Sequence, residues 1–246
     1  MMRLLEAENL FKSFGGLMAI NGVDLRLDAG EILGLIGPNG SGKTTLFNLI
    51  AAVYRPDAGF IRFKGTEITV ASPAHVCQMG IARTFQVTRP FPLLTVLDNV
   101  KLGRAYGRAP ARTLRQAEDE AYEILSFTGL AGKSSIIASR LGLIDRKRLE
   151  LAKALATRPE LLLLDEIMAG LNPTEIEGAA NLVQCVRDSG ISIIIIEHMM
   201  RAILKLCDRV VVLNTGQKIA EGLPREVILD KQVIEAYLGV DAHAQG

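Results

Sequence analysis

Gly37 to Thr44 reads GPNGSGKT, a match to G-x-x-x-x-G-K-[ST]. It lies between a short apolar run, Ile32 to Ile36, and a segment, Thr45 to Val53, whose Leu46, Leu49 and Ile50 recur at helical spacing. Strand, glycine-rich loop and helix in that order leave few folds open. Successive backbone N–H groups can turn inward around an anion only if a strand delivers the chain to the loop and a helix amino end continues it. On this reading Gly37, Pro38, Asn39, Gly40, Ser41 and Gly42 form a cradle for phosphates. Lys43 reaches the outer phosphates, Thr44 offers a hydroxyl to Mg²⁺, and Thr45 opens the helix.

A second element fits the first. Leu161 to Glu166 reads LLLLDE, a buried strand ending in two acids, and a parallel sheet presents its ligand groups at the carboxyl ends of its strands. Asp165 is expected to hold the Mg²⁺ shell, and Glu166 to orient or deprotonate an attacking water. Around these, Ile191 to Ile196 and Val210 to Leu213 read as further continuous apolar strands, separated from Leu161 to Leu164 by a helical stretch at Thr174 to Asp188. The first thirty residues alternate apolar and polar side chains, with turns expected at Gly15-Gly16 and Asn21-Gly22. From about Thr95 to Ala156 the pattern is helical, with Leu114, Ala117, Ala121 and Leu125 spaced three or four apart. The expectation is a single α/β domain in which 1–90 and 158–246 form antiparallel β and nucleotide-binding core, and 91–157 an inserted helical subdomain.

Composition excludes more than it assigns. The formal net charge is +1, so the overall basicity of a nucleic-acid binder is missing. Hydrophobic residues make up 49% of the chain, yet the unbroken apolar runs stop far short of the ~20 residues that span a bilayer. Cys77, Cys185 and Cys207 form no C-x-x-C pair, which fits a reducing cytosol. Met1 to Leu10 carries Glu6 and Glu8 and lacks the pattern of a signal peptide.

With these motifs in order, the sequence resembles the ATP-binding cassette ATPases over nearly its whole length. The resemblance implies a P-loop, RecA-like core, bound ATP and Mg²⁺, and further site residues. Gln86, in ARTFQ, is similar to the family's glutamine that contacts Mg²⁺ and water and links the site to a transmembrane partner. His198, after IIIIE, is similar to the histidine that contacts the γ-phosphate; His75 and His243 carry no such match. Phe14 sits where the family stacks an aromatic on adenine, and Phe11 competes for that role. TLFNLIAAVYRPDAG, GIARTFQ, MAGLNP, LCDRVVVLNTGQKIAEGLP and IEAYLG look like ATPases of branched-chain or hydrophobic amino acid importers. Such a subunit implies a second ATPase, as heterodimer or homodimer, two transmembrane permeases and, indirectly, a periplasmic or extracellular binding protein. It implies a peripheral place on the cytoplasmic face of the membrane. Nucleic acid is not expected. A regulatory or non-transport cassette with weak hydrolysis is the alternative.

The family's L-S-G-G-Q signature is replaced. Leu141, Gly142, Leu143, Ile144 and Asp145 stand in its place: Gly142 has no hydroxyl, Ile144 is branched where close backbone approach is wanted, and Asp145 adds negative charge near a phosphate. Asp145 also fits as the cap of a helix starting at Arg146. Asn172 replaces a frequent Asp after the catalytic Glu. The basic run Lys101, Arg104, Arg108, Arg112 and Arg115 reads as a solvated face or as a contact for anionic lipid.

Overall fold

The computed structural model describes residues 3–85 and 90–238. Its chain opens with two long strands, β1 (Arg3–Phe14) and β2 (Leu17–Asp28), turning at Gly15-Gly16. With β4 (Ala58–Phe63) and β5 (Thr66–Glu67) they make an antiparallel sheet of order β2-β1-β4-β5. The expected turn at Asn21-Gly22 is instead a bulge inside β2: Leu10 pairs with Val23 and Phe11 with Asn21, leaving Gly22 as the extra residue at φ +66°. A left-handed glycine serves either purpose, and only the pairing decides between them.

The second sheet has the order β10-β9-β3-β8-β7-β6. Its members are β3 (Ile32–Ile36), β6 (Ile81–Arg83), β7 (Leu161–Asp165), β8 (Ser192–Ile196), β9 (Arg209–Asn214) and β10 (Gln217–Gly222). All pairs are parallel except β10 with β9. The strands have no polar face because the sheet is covered on both sides. Leu33, Leu35, Leu161, Leu163, Ile194 and Ile196 join the core shared with the antiparallel sheet and α1 (Lys43–Ile50), whereas Ile32, Ile36, Leu162, Leu164, Ile193 and Ile195 join the opposite core. Each such side chain taken wholly out of water stabilises by about 1.5–3 kcal/mol, which explains the apolar runs. The opposite core is closed by α6 (Pro173–Asp188) and α7 (Met200–Leu206). Asn172 caps α6 in a reciprocal box with Glu175, at 3.0 and 2.9 Å.

After α2 (Pro73–Met79), three α-helices lie between β6 and β7 among the described residues, namely α3 (Val96–Tyr106), α4 (Leu114–Phe127) and α5 (Leu143–Ala156). They pack around their own core, which includes Val96, Val100, Ala121, Leu125 and Leu149. The basic run is an open face only in part: Arg112 and Arg115 are exposed, whereas Lys101, Arg104 and Arg108 are paired. Arg104 is 1% exposed and binds Glu120 and the carbonyls of Ala156 and Ala109, while Lys101 bridges Asp98 and Glu118. Acids on α4 meet Lys101 and Arg104, and Glu160 meets Arg108, pairings that the fold makes and the sequence does not show. Two short helices, α8 (Pro224–Val227) and α9 (Lys231–Leu238), follow β10.

Candidate nucleotide site

Register brings the site together. β8 lies between β3 and β7, with Leu35 opposite Ile196 and Ile196 opposite Asp165, so the chain leaves all three strands at one edge. There the loop after β3, the acids ending β7 and the Glu197-His198 pair ending β8 meet. One open cleft is lined by residues 39–45, Glu166 and His198, with Phe14, Leu17, Met18, Ala19 and Thr215 at its side.

The loop needs its glycines where the chain is crowded. Gly42 has φ +104°, and a Cβ there would lie 2.5 Å from the Ala19 carbonyl oxygen; at Gly37, φ +145°, it would lie 2.0 Å from that of Leu213. Helix α1 begins at Lys43, earlier than the Thr45 read from hydrophobic spacing, because Gly42 is its cap. Lys43 is 6% exposed, and its ammonium donates to the carbonyls of Gly37 and Pro38, each at 2.8 Å. Burial pulls its pKa down, while the charges of Glu166 and Asp165 work against that fall. A buried cation resting on neutral carbonyls, before two acids, is a donor set that fits a polyphosphate and its divalent ion.

Asp165 is 3% exposed, and burial raises its carboxyl while Arg83, at 2.9 Å, lowers it. Arg83 also bonds Asn48 of α1, tying the acid to the helix behind the loop. Glu166 leaves β7 in a left-handed turn at φ +49° and receives His198 Nε2 on Oε1 at 2.8 Å. Phe14 is 42% exposed at the cleft and meets Tyr54 edge-on at 5.1 Å, whereas Phe11 sits against Gly22, whose added Cβ would be 3.4 Å from its ring. Of the two aromatics, Phe14 is the one that lines the cleft. Gln86 and His243 lie outside the described residues.

The replaced signature peptide is not part of this cleft's lining. Gly142 caps α5 without a side-chain bond, Leu143 is 51% exposed, and Arg146 N–H reaches the Gly142 carbonyl at 3.0 Å. Asp145 therefore does not cap a helix at Arg146; it lies inside the first turn, 8% exposed, paired with Lys133. Sequence reading also missed Arg83, Lys147, Asn99 and Tyr237. Lys147 reaches the Glu166 carbonyl, Asn99 bonds both the N–H and the carbonyl of Phe91, and Tyr237 Oη accepts the Gly37 N–H at 2.8 Å. The partners of Arg83, Lys147 and Tyr237 are far away in sequence, and Asn99 meets Phe91 across an irregular stretch of eight residues, so no local pattern marks them.

A loop-and-two-acids cleft occurs in many folds, and comparison with known proteins decides which family this is. The profile described as "ABC transporter" matches residues 20–169. The chain belongs to the ABC transporter family. A second profile, "Branched-chain amino acid ATP-binding cassette transporter", matches residues 217–243 of this ABC ATPase. It is 38% identical to the high-affinity branched-chain amino acid transport ATP-binding protein LivG of Salmonella typhimurium, over 96% of this chain and 98% of that one. It is 35% identical to the corresponding protein BraF of Pseudomonas aeruginosa, with the same coverage. Among solved structures it is similar to a nucleotide-free ATP-binding cassette from an ABC transporter, with TM-score 0.87, 32% identity and coverage of 96% and 98%. An ATP-binding cassette in its ADP conformation matches at TM-score 0.87 and 33% identity, covering 97% and 100%. The ABC ATPase thus binds adenine nucleotide and hydrolyses ATP on the fold its sequence resembles.

Proposed function

We propose that this ABC ATPase powers the import of branched-chain or other hydrophobic amino acids, as one of two ATPase subunits beneath two transmembrane permeases fed by an external binding protein. The observation that carries the chemistry is the Lys43 ammonium, buried on loop carbonyls, facing the Glu166–His198 pair across one cleft. The amino acid class is carried by the names and extent of its relatives. Among the described residues no helix is long and apolar enough to cross a membrane. On this reading the permeases supply the membrane path and the chain sits on the cytoplasmic face.

Each residue then has a task. The loop amides of residues 39–45 and Lys43 bind the phosphates, and Phe14 offers a flat face to the base. Thr44, Asp165 and Gln86 would hold Mg²⁺, which when bound supplies positive charge to the phosphate oxygens. Glu166 orients a water or takes its proton, and His198, whose Nε2 meets the Glu166 carboxylate in the cleft, would turn to the terminal phosphate when nucleotide is bound. The peptide 141–145 would face the nucleotide of the second subunit, whose own signature would complete the site on Lys43 and Glu166. We therefore favour an asymmetric heterodimer with one fully competent site.

Two measurements test this. Glu166→Gln should abolish ATP turnover and leave ATP binding intact; equal turnover in variant and wild type refutes the role of Glu166. Turnover should be low for the purified chain and rise when the second ATPase and permeases are added. Full activity as a homodimer sinks the heterodimer.

A further inference from the structure

The backbone of Glu166 holds a left-handed conformation that a residue with a Cβ rarely adopts. That turn swings the side chain out of line with β7 and toward His198. Besides the Ala169 N–H, which shares the Glu166 carbonyl at 3.3 Å, three bonds reach this turn from outside it. Glu166 N–H donates to the Ile196 carbonyl at 3.0 Å, Met168 N–H donates to the buried Glu197 carboxylate at 2.9 Å, and Lys147 Nζ donates to the Glu166 carbonyl at 2.9 Å. The first two come from the end of β8 and move with the parallel sheet. The third comes from α5, and so from the helical layer.

Burial pulls the Lys147 ammonium below the ordinary lysine range, and the negative charges of Glu197 and Glu166 oppose that fall. It is thus a partly buried cation with a fixed direction, set on the same helix that the peptide 141–145 opens. We propose that Lys147 is a positioning residue for hydrolysis: it holds the Glu166 carbonyl in the left-handed turn, and it carries any displacement of the amino end of α5 to the Glu166 carboxylate. Because that end of α5 is where the second subunit's nucleotide would press, Lys147 links one nucleotide site to the other. The inference rests on the reading of Glu166 as the group that activates water.

Lys147→Met tests it, since Met matches the lysine stem and meets Ile144, Leu151 and Ile167, which line the same small pocket. Wild type, Lys147→Met, Lys147→Arg and Glu166→Gln are prepared as full chains, checked by thermal melting and assembled with the second ATPase and the permeases. Saturating turnover and fluorescent ATP-analogue affinity are then measured. Lys147→Met should lose about tenfold in saturating rate, ~1.4 kcal/mol of barrier, with affinity held within about twofold. Lys147→Arg should recover most of the rate, because a guanidinium also donates to a carbonyl. A wild-type rate for Lys147→Met overturns the proposal. So does a parallel loss of rate and affinity that Lys147→Arg shares, which is the mark of a packing role. If Glu166→Gln turns over like wild type, the reading of Glu166 fails instead.

Discussion

Gly37→Ala should disable nucleotide binding by steric means alone. The added Cβ would stand 2.0 Å from the Leu213 carbonyl oxygen and 2.8 Å from Ser41 Oγ. A carbon approaches a carbonyl oxygen to about 3.3 Å, so roughly 1.3 Å of separation must be found. Leu213 cannot supply it: β9 is paired on both sides, to β3 and to β10, with Leu213 opposite Lys218. The loop must move, and with it the Gly37 N–H that donates to Tyr237. A shift of about 1 Å in groups that must be aligned costs on the order of 100-fold, and overpacking of this kind adds about 1–3 kcal/mol of lost stability. Titration with a fluorescent ATP analogue should show affinity falling by about two orders of magnitude, with a lower melting temperature. Gly65→Ala is the control, since Gly65 also has positive φ, +76°, but nothing lies within 4 Å of its added Cβ. Wild-type affinity in Gly37→Ala, or an equal loss in Gly65→Ala, refutes the reasoning.

Arg104→Met should destabilise the helical layer by about 3 kcal/mol, because it leaves the Ala156 and Ala109 carbonyls without their charged donor in a site that is 1% exposed. Urea unfolding reads this, and a loss under about 1 kcal/mol would show that Glu120, still paired with Arg158 at 3.0 Å, suffices. Iodoacetamide at about pH 8 should modify exposed Cys185 in the native chain and spare Cys207 until denaturation. Burial pushes the Cys207 thiol up to about 12, so its nucleophilic thiolate appears only as pH rises toward that value. Mass spectrometry showing native Cys207 labelled as fast as Cys185 contradicts this.

How much of the fold was legible depended on whether its cause was local. Leu161 to Leu164 and Ile193 to Ile196 could be read as covered strands because every residue in them is buried, leaving no alternation to mistake for another class. Gly22 could not be resolved, since a left-handed glycine suits both a turn and a bulge and the register with Leu10 and Phe11 is a long-range fact. The loop and its two acids were legible because phosphate chemistry demands those residue types in that spacing. Arg83, Lys147 and Tyr237 were not, because an arginine, a lysine and a tyrosine on helices or strand ends have many uses. Only the fold brings Arg83 to Asp165, Lys147 to Glu166 and Tyr237 to Gly37.

Asp145 alters the argument about the replaced signature. Read in sequence, its carboxylate stands close to where a phosphate of the second subunit would lie and would repel it. In the fold that carboxylate turns inward to Lys133, so its charge is met within the chain. The amino end of α5 thus keeps the partial positive charge that any helix start offers an anion. What distinguishes 141–145 from a full signature is then shape and the missing hydroxyl: Gly142 has no donor oxygen, and Leu143 sets a half-exposed apolar side chain at the helix start. On the proposed heterodimer the second nucleotide would be held more loosely without being driven off. That arrangement keeps both nucleotides at the interface and leaves hydrolysis to the site built on Lys43 and Glu166.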